Sequence, residues 1–335
     1  IAQHSSEQGR EAGERVGIDV FISCNSIELA RLPWEAWELA PERAPLGTVR
    51  IARTFAHSPE LCPIKRPLRY RQPRILALIG NDPELPLHED WKTLRSSLKS
   101  IADIYRVQWQ PDDGIVEIKN KIAADISDRR GWDVLFFAGH SSSKDGDKGY
   151  LYINRTDEGQ LEISELEETL RTAIANGLKL AIFNSCDGLG LARQLEKLHI
   201  PQVIVMREPV PDKIAQEFLK YFLTDFSRGT PLYTSVRHAR KILQELLQVD
   251  RKFPGASWLP VICQNPTAKD FVWPSPQLKL ACWRKEVVQS LKQHSQVAII
   301  SGVAGGAIAL IALIWLSSFL HSPCSAATEK REECA

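Results

Sequence analysis

Methionine occurs once in the 335 residues, at Met206, and the seven cysteines show no C-x-x-C spacing. That scarcity excludes the usual zinc-ligand pattern and the disulfide framework of a small secreted domain. An excess of one charge is also missing, because the formal net charge is only +1. No global attraction to nucleic acid follows from that balance. Gly188-Leu189-Gly190 lacks the full spacing of a dinucleotide loop, and Asp145-Gly146-Asp147 lacks the downstream glutamate of a calcium loop. No metal and no cofactor are therefore expected. Residues 1–17 are polar and charged, with no apolar stretch of a signal peptide. The chain opens on Ile1 without an initiator, so it is expected to be a piece of a longer product, with 1–16 as the remnant of an upstream region.

What is present is a regular alternation of short apolar runs and amphipathic stretches. Strands are predicted at 18–23, 47–55, 74–80, 105–110, 132–138, 178–183, 203–206 and 258–263, and a small hairpin at 149–153 and 160–163. Helices are predicted at 89–102, 115–126, 164–175, 189–198, 214–226 and 231–247. Ser164 and Glu167 supply the spacing of a capping box for the third of these. A further helix over 27–40 would bury Leu29, Leu32, Trp34 and Trp37, with its first regular turn starting at Pro33. Residues 59–73, rich in proline and arginine, read as a connection. This order describes an α/β sheet covered by helices on both faces.

Two of the apolar runs end in chemistry. One stops at Gly139-His140 and the other at Asn184-Ser185-Cys186-Asp187-Gly188. In an open parallel sheet, ligands and reacting groups collect at the carboxyl ends of strands. A thiol becomes a nucleophile as the thiolate, which an imidazole or a helix N-terminus favours. A strand-end cysteine on its own also fits a packed small residue. Small residues around both turns, including Ser141 and Ser185, leave backbone amides available for an oxyanion. They serve equally well as ordinary turn residues. Asp187, Glu208 and Asp212 lie on loops near the same edge. They read either as the lining of a pocket for a basic side chain or as caps and turn residues.

The end of the chain has a different character. Residues 297–320 carry no charge and are long enough to cross a hydrocarbon core. Lys279, Arg284, Lys285 and Lys292 precede them, and a tail containing Glu329, Glu332 and Glu333 follows. The positive-inside rule then expects a single-pass membrane protein with its large domain in the cytoplasm. Ala298, Gly302 and Gly306 form a small-residue face that would suit a dimer.

Several stretches resemble the CHAT domain family of caspase-like peptidase domains, specifically its cyanobacterial type. They are Leu32-Pro33-Trp34-Glu35, Phe136-Phe137-Ala138-Gly139-His140-Ser141 and Ala181-Ile182-Phe183-Asn184-Ser185-Cys186-Asp187-Gly188, followed by residues 203–212 and 256–265. The resemblance implies a caspase-haemoglobinase-like three-layer sandwich with a mostly parallel sheet over residues 17–265. A juxtamembrane link at 266–296, the transmembrane helix at 297–320 and a short tail at 321–335 would follow. It further implies a dyad of His140 and Cys186, with the backbone amides of Ser141 and Cys186 as the oxyanion hole. Many relatives carry glycine where Ser141 stands. The expected function is a membrane-anchored cysteine endopeptidase that hydrolyses polypeptide substrates in a signalling or stress pathway. The alternative is a catalytically silent module that recruits partners at the membrane. A sensor or repeat domain upstream is a further expectation.

Overall fold

A computed structural model of the protein describes residues 2–4, 18–24, 26–38, 49–54, 72–109, 113–144, 148–154, 159–185, 188–198 and 200–274. The expected span at 297–320 and its flanking segments lie outside the described residues. No helix among the described residues is long and apolar enough to cross a membrane.

The architecture is mixed α/β around a mostly parallel central sheet. Its nine strands run in the order β1-β2-β3-β12-β11-β10-β6-β4-β5. In chain order these are β1 (Ala2–His4), β2 (Ile18–Ile22), β3 (Val49–Arg53), β4 (Arg74–Ile79), β5 (Asp103–Arg106), β6 (Val134–Ala138), β10 (Leu180–Asn184), β11 (Gln202–Met206) and β12 (Pro260–Gln264). Only the β1/β2 and β11/β12 pairs are antiparallel. Strands β4, β6, β10 and β11 are buried along their whole length. Burial on both faces is why each reads in sequence as a continuous apolar run rather than an alternation.

The two faces hold separate cores, because successive side chains on a strand point in opposite directions. Ile75, Ala77, Phe136, Ile182 and Ile204 face a layer that includes Leu94, Phe218, Phe222 and Val236. Those come from helices α2 (Leu87–Leu98), α6 (Asp212–Phe226) and α7 (Leu232–Lys241). Leu76, Leu135, Phe137, Ala181 and Val205 face the other layer, with Ile122, Leu170 and Leu195. These lie on α3 (Ile115–Ile126), α4 (Glu167–Ala175) and α5 (Leu189–Lys197). The second layer also contains a small antiparallel sheet of β7 (His140–Lys144), β8 (Lys148–Tyr152) and β9 (Gln160–Glu162). The β8/β9 hairpin matches the sequence expectation. Strand β7 does not, because three consecutive serines carry no apolar alternation; its pairing with β8 makes it a strand.

The segment after β2 departs furthest from its sequence reading. It forms only a short helix, α1 (Ile27–Ala30), and a 3-10 turn at Trp34–Trp37. Leu29, Leu32 and Trp37 are exposed, whereas Glu35 and Glu38 are buried. The inversion has an electrostatic cause. Arg53 is itself buried and grips Glu35 with two parallel bonds, Nε to Oε1 and Nη2 to Oε2, each 2.7 Å. Arg53 also donates to the carbonyls of Ala30 and Leu32. Arg240 Nη1 donates to Glu38 Oε2 at 2.8 Å, and the Ile51 amide donates to Glu38 Oε1 at 2.8 Å. Two carboxylates thus turn inward to meet two guanidiniums, and the Arg53–Glu35 pair has the bidentate geometry that makes such pairs strong.

A smaller correction concerns α4. The capping box is made by Glu162 and Glu165 around a 3-10 turn at Ile163–Leu166, ahead of the α-helix proper. Ser164 and Glu167 therefore do not form the expected box.

Candidate active site

The parallel pairing of β6 with β10 sets the site. Asn184 stands opposite Ala138, at the carboxyl end of each strand. Gly139-His140 leaves one strand and Ser185-Cys186 leaves its immediate neighbour. Gly139 has φ +156°, and a Cβ there would lie 2.9 Å from the Phe137 ring. This glycine turns the chain out of the large sheet so that His140 begins the small one. Gly188 is a second forced position. Its amide donates to the Met206 carbonyl at 2.8 Å, and a Cβ would lie 2.5 Å from that of Val205. The chain that returns from the cysteine turn must press against β11 there.

His140 is 41% exposed, and its Nε2 lies 2.9 Å from Asp82 Oδ2. Asp82, by contrast, is buried. It follows β4, the strand on the other side of β6, in a loop fixed at several points. The Gly80 amide donates to the Ala138 carbonyl at 2.8 Å, and the Asn81 amide to the Ile153 carbonyl at 2.7 Å. Asp82 Oδ1 accepts from the Glu84 amide at 2.8 Å. Three adjacent strands thus deliver Asp82, His140 and Ser185 to one edge of the sheet. The turns are also tied together, because Ser141 Oγ donates to Ser185 Oγ at 2.8 Å.

Beside His140 is a small cleft of about 30 Å³, lined in part by Asp90, Asn184, Ser185 and Asp212. Asp90 is 5% exposed, in the first turn of α2. Burial pushes its carboxyl up to about 7, against the effect of a hydrogen bond with Asn184; Asp212 and Glu89 raise it further.

The residues expected from sequence therefore fall into three groups. His140, Ser185 and Asp212 line the same cleft. Ser141 adjoins it and is buried. Glu208 is turned toward Arg207, with Oε2 3.5 Å from Nη2, and is not among the residues lining the cleft. Cys186 and Asp187 lie outside the described residues. Asp82 and Asp90 were not anticipated. Asp90 had a legible signal, since it occupies the apolar stripe of its helix with Leu87, Leu94 and Leu98. Asp82 had a weaker one, as an acid just beyond the end of a third apolar strand. Among the described residues no group of acidic, histidine or cysteine side chains is placed to hold a metal.

An independent comparison agrees with the resemblance seen in the sequence. The CHAT domain model matches residues 7–283, and the chain belongs to that family. No curated protein matches the chain. Among solved structures it is similar to the Arg-specific cysteine proteinase gingipain R, at 11% identity and a TM-score of 0.45, over 67% of this chain and 56% of that one. It is also similar to a complex of the pro- and mature domains of RgpB from Porphyromonas gingivalis, at 10% identity and a TM-score of 0.41, over 66% of this chain and 56% of that one. The matched region is thus little more than half the length of those chains.

Proposed function

We propose that this chain is a cysteine endopeptidase in which Cys186 is the nucleophile and His140 its general base. The observation that carries the reading is the pairing of β6 with β10, which starts Gly139-His140 and Ser185-Cys186 from neighbouring strand ends. The contact between His140 Nε2 and Asp82 supports it further. A carboxylate at Nε2 fixes the ring and leaves Nδ1 to take the thiol proton, the orienting role that a third group plays in hydrolytic triads. In this mechanism the Cys186 proton passes to His140 and the sulfur bonds to the scissile carbonyl carbon. The carbonyl electron pair moves onto oxygen, where the Ser141 and Cys186 amides stabilise it. Collapse of that intermediate breaks the C–N bond, and the leaving amine takes the proton from His140. Water then cleaves the thioester by the same route and regenerates the thiol.

The test is labelling of the full chain by a thiol-directed peptidyl probe. Wild type is expected to label and to cleave, and Cys186→Ala and His140→Ala to do neither while melting at the wild-type temperature. A folded wild-type chain that never labels would leave only the recruiting-module alternative. We further infer that residues 297–320 tether the domain to a membrane, a reading supported by their uncharged length and the basic residues before them. On intact cells an impermeant thiol reagent should then reach Cys334 and not Cys62; the opposite pattern would remove the tether as drawn.

A further inference from the structure

An acid and an amide meet where the rest of the contact between helix and strand is apolar. Asp90 lies in the buried stripe of α2 with Leu87, Leu94 and Leu98. Asn184 ends β10 on the same face as Leu180 and Ile182, which pack into the layer of α2 and α6. The two side chains hydrogen-bond to each other. Oδ1 of each is nevertheless buried without a partner. The Asn184 amide nitrogen is the one donor in the pair, so its bond runs to Asp90 Oδ2 and leaves an acceptor over on each side. Among the described residues lining the cleft there is no arginine or lysine. The cleft itself, of about 30 Å³, has room for a water or two and not for a side chain, and neither Oδ1 atom is accessible from it. Buried acceptors call for a donor. The one that needs no room is a proton taken up from solvent.

We propose that Asp90 is held as the neutral acid, its proton on Oδ1 donated to Asn184 Oδ1, and that this acid–amide clasp positions the end of β10. A neutral carboxylic acid donates through one oxygen and accepts through the other, and a primary amide does the same, so the pair closes as a ring of two hydrogen bonds. One hydrogen answers both Oδ1 atoms. In the chain Ser185 follows Asn184, and the proposed nucleophile comes next. The clasp fixes the strand end from the side of α2, as the bond between Ser141 and Ser185 fixes it from the small sheet. The positioning role rests on the peptidase reading; the protonation of Asp90 does not.

Electrostatics favour the same state. Burial holds the Asp90 carboxyl up to about 7 against the opposing effect of the Asn184 bond, and Asp212 on α6 and Glu89 on α2 raise it further. His140 on β7 also lines the cleft, but its Nε2 is turned to Asp82 in the loop before α2. Above about 7 the proton leaves, and a charged Oδ1 then faces the Asn184 amide oxygen. An acid held above its ordinary value of 3.8 supports the fold in full below that value and loses the support as pH rises through about 7. The clasp therefore opens on the alkaline side.

The experiment records infrared difference spectra of the full chain, wild type minus Asp90→Asn, between about pH 6 and about pH 8.5, where ordinary carboxyls are ionised. At the lower pH wild type is expected to show the C=O stretch of a protonated carboxylic acid that the variant lacks, fading as pH rises through about 7. The absence of that band at the lower pH would overturn the proposal. So would failure of Asp90→Asn to fold, because asparagine there makes the same two bonds. Cleavage of a peptide substrate gives the second reading. Asparagine donates to Asn184 Oδ1 at every pH, so the ratio of the Asp90→Asn rate to the wild-type rate should rise about tenfold across the range. A flat ratio would overturn the clasp as a positioning device. A band in a wild-type chain that cleaves nothing would overturn the peptidase reading and leave the protonated pair; cleavage without the band would do the reverse.

Discussion

Two buried polar regions of this molecule invite comparison. In one, Glu35 and Glu38 meet Arg53 and Arg240, and both oxygens of each carboxylate accept from a donor inside the fold. In the other, Asp90 and Asn184 each keep an oxygen that nothing in the fold answers. Both regions are equally dry. They differ in whether the charge is balanced from within. The first holds the segment after β2 against the sheet, with both carboxylates fully paired and only Arg240 Nη2 left without a partner. The second bonds Asp90 to Asn184 and, among the described residues, supplies no arginine or lysine to either. A buried carboxylate paired with a guanidinium ties the fold together, whereas one without such a partner is a standing cost to it.

The comparison breaks most clearly at Glu35. Removing one partner of a buried pair strands the other charge, so Glu35→Ala should lower the unfolding free energy by about 3–5 kcal/mol. Urea titration measures this, and a loss under 1 kcal/mol would mean that the pair is not buried as described.

Asp90→Asn should do the opposite. The fold holds the Asp90 carboxyl at about 7, against an ordinary value of 3.8. Its neutral form is therefore the one the empty fold accepts. The stability it allows is complete below about pH 4 and is lost as pH rises through 7. Asparagine stays neutral throughout. The variant should match wild type near pH 4 and exceed it by roughly 2–4 kcal/mol near pH 8.5. A variant less stable than wild type near pH 8.5 would place Asp90 among the satisfied groups.

The smallest effect sharpens the comparison at the catalytic edge. Asp82 contacts His140 and takes no part in bond making. On the proposed mechanism Asp82→Asn should lower kcat by about tenfold to a hundredfold with KM unchanged. An equal loss in KM would mean that Asp82 shapes the substrate site instead of the base.

Much of this arrangement was legible in the sequence because the central strands are buried on both faces. Runs such as residues 132–138 and 178–183 announce themselves, and so do the turns that end them. The family-specific stretches added the expectation of a His140–Cys186 dyad. What sequence reasoning missed has a common cause. The helix over 27–40 was expected to bury its tryptophans and leucines, because apolar periodicity says nothing about an arginine on a distant strand that draws a glutamate inward. Strand β7 was unreadable because its serines are paired by β8 rather than by any pattern of their own. Asp82 and Asp90 reach the site only through the adjacency of β4 with β6 and the packing of α2 over the sheet. Glu208 sits where the sequence put it, just past β11, but its side chain turns to Arg207.

The strand plan divides the site between two sheets. The backbone of His140 belongs to the small sheet, whereas Ser185 directly follows a strand of the large one. His140 and Ser185 therefore sit on opposite sides of a seam, stitched by the bond between Ser141 and Ser185. Sliding the small sheet by an ångström would move His140 against Asp82 and Ser141 against Ser185 together. A misplacement of that size can cost a hundredfold in rate. A protein that grips the small sheet from outside would thus hold a throttle on the chemistry without touching the cleft.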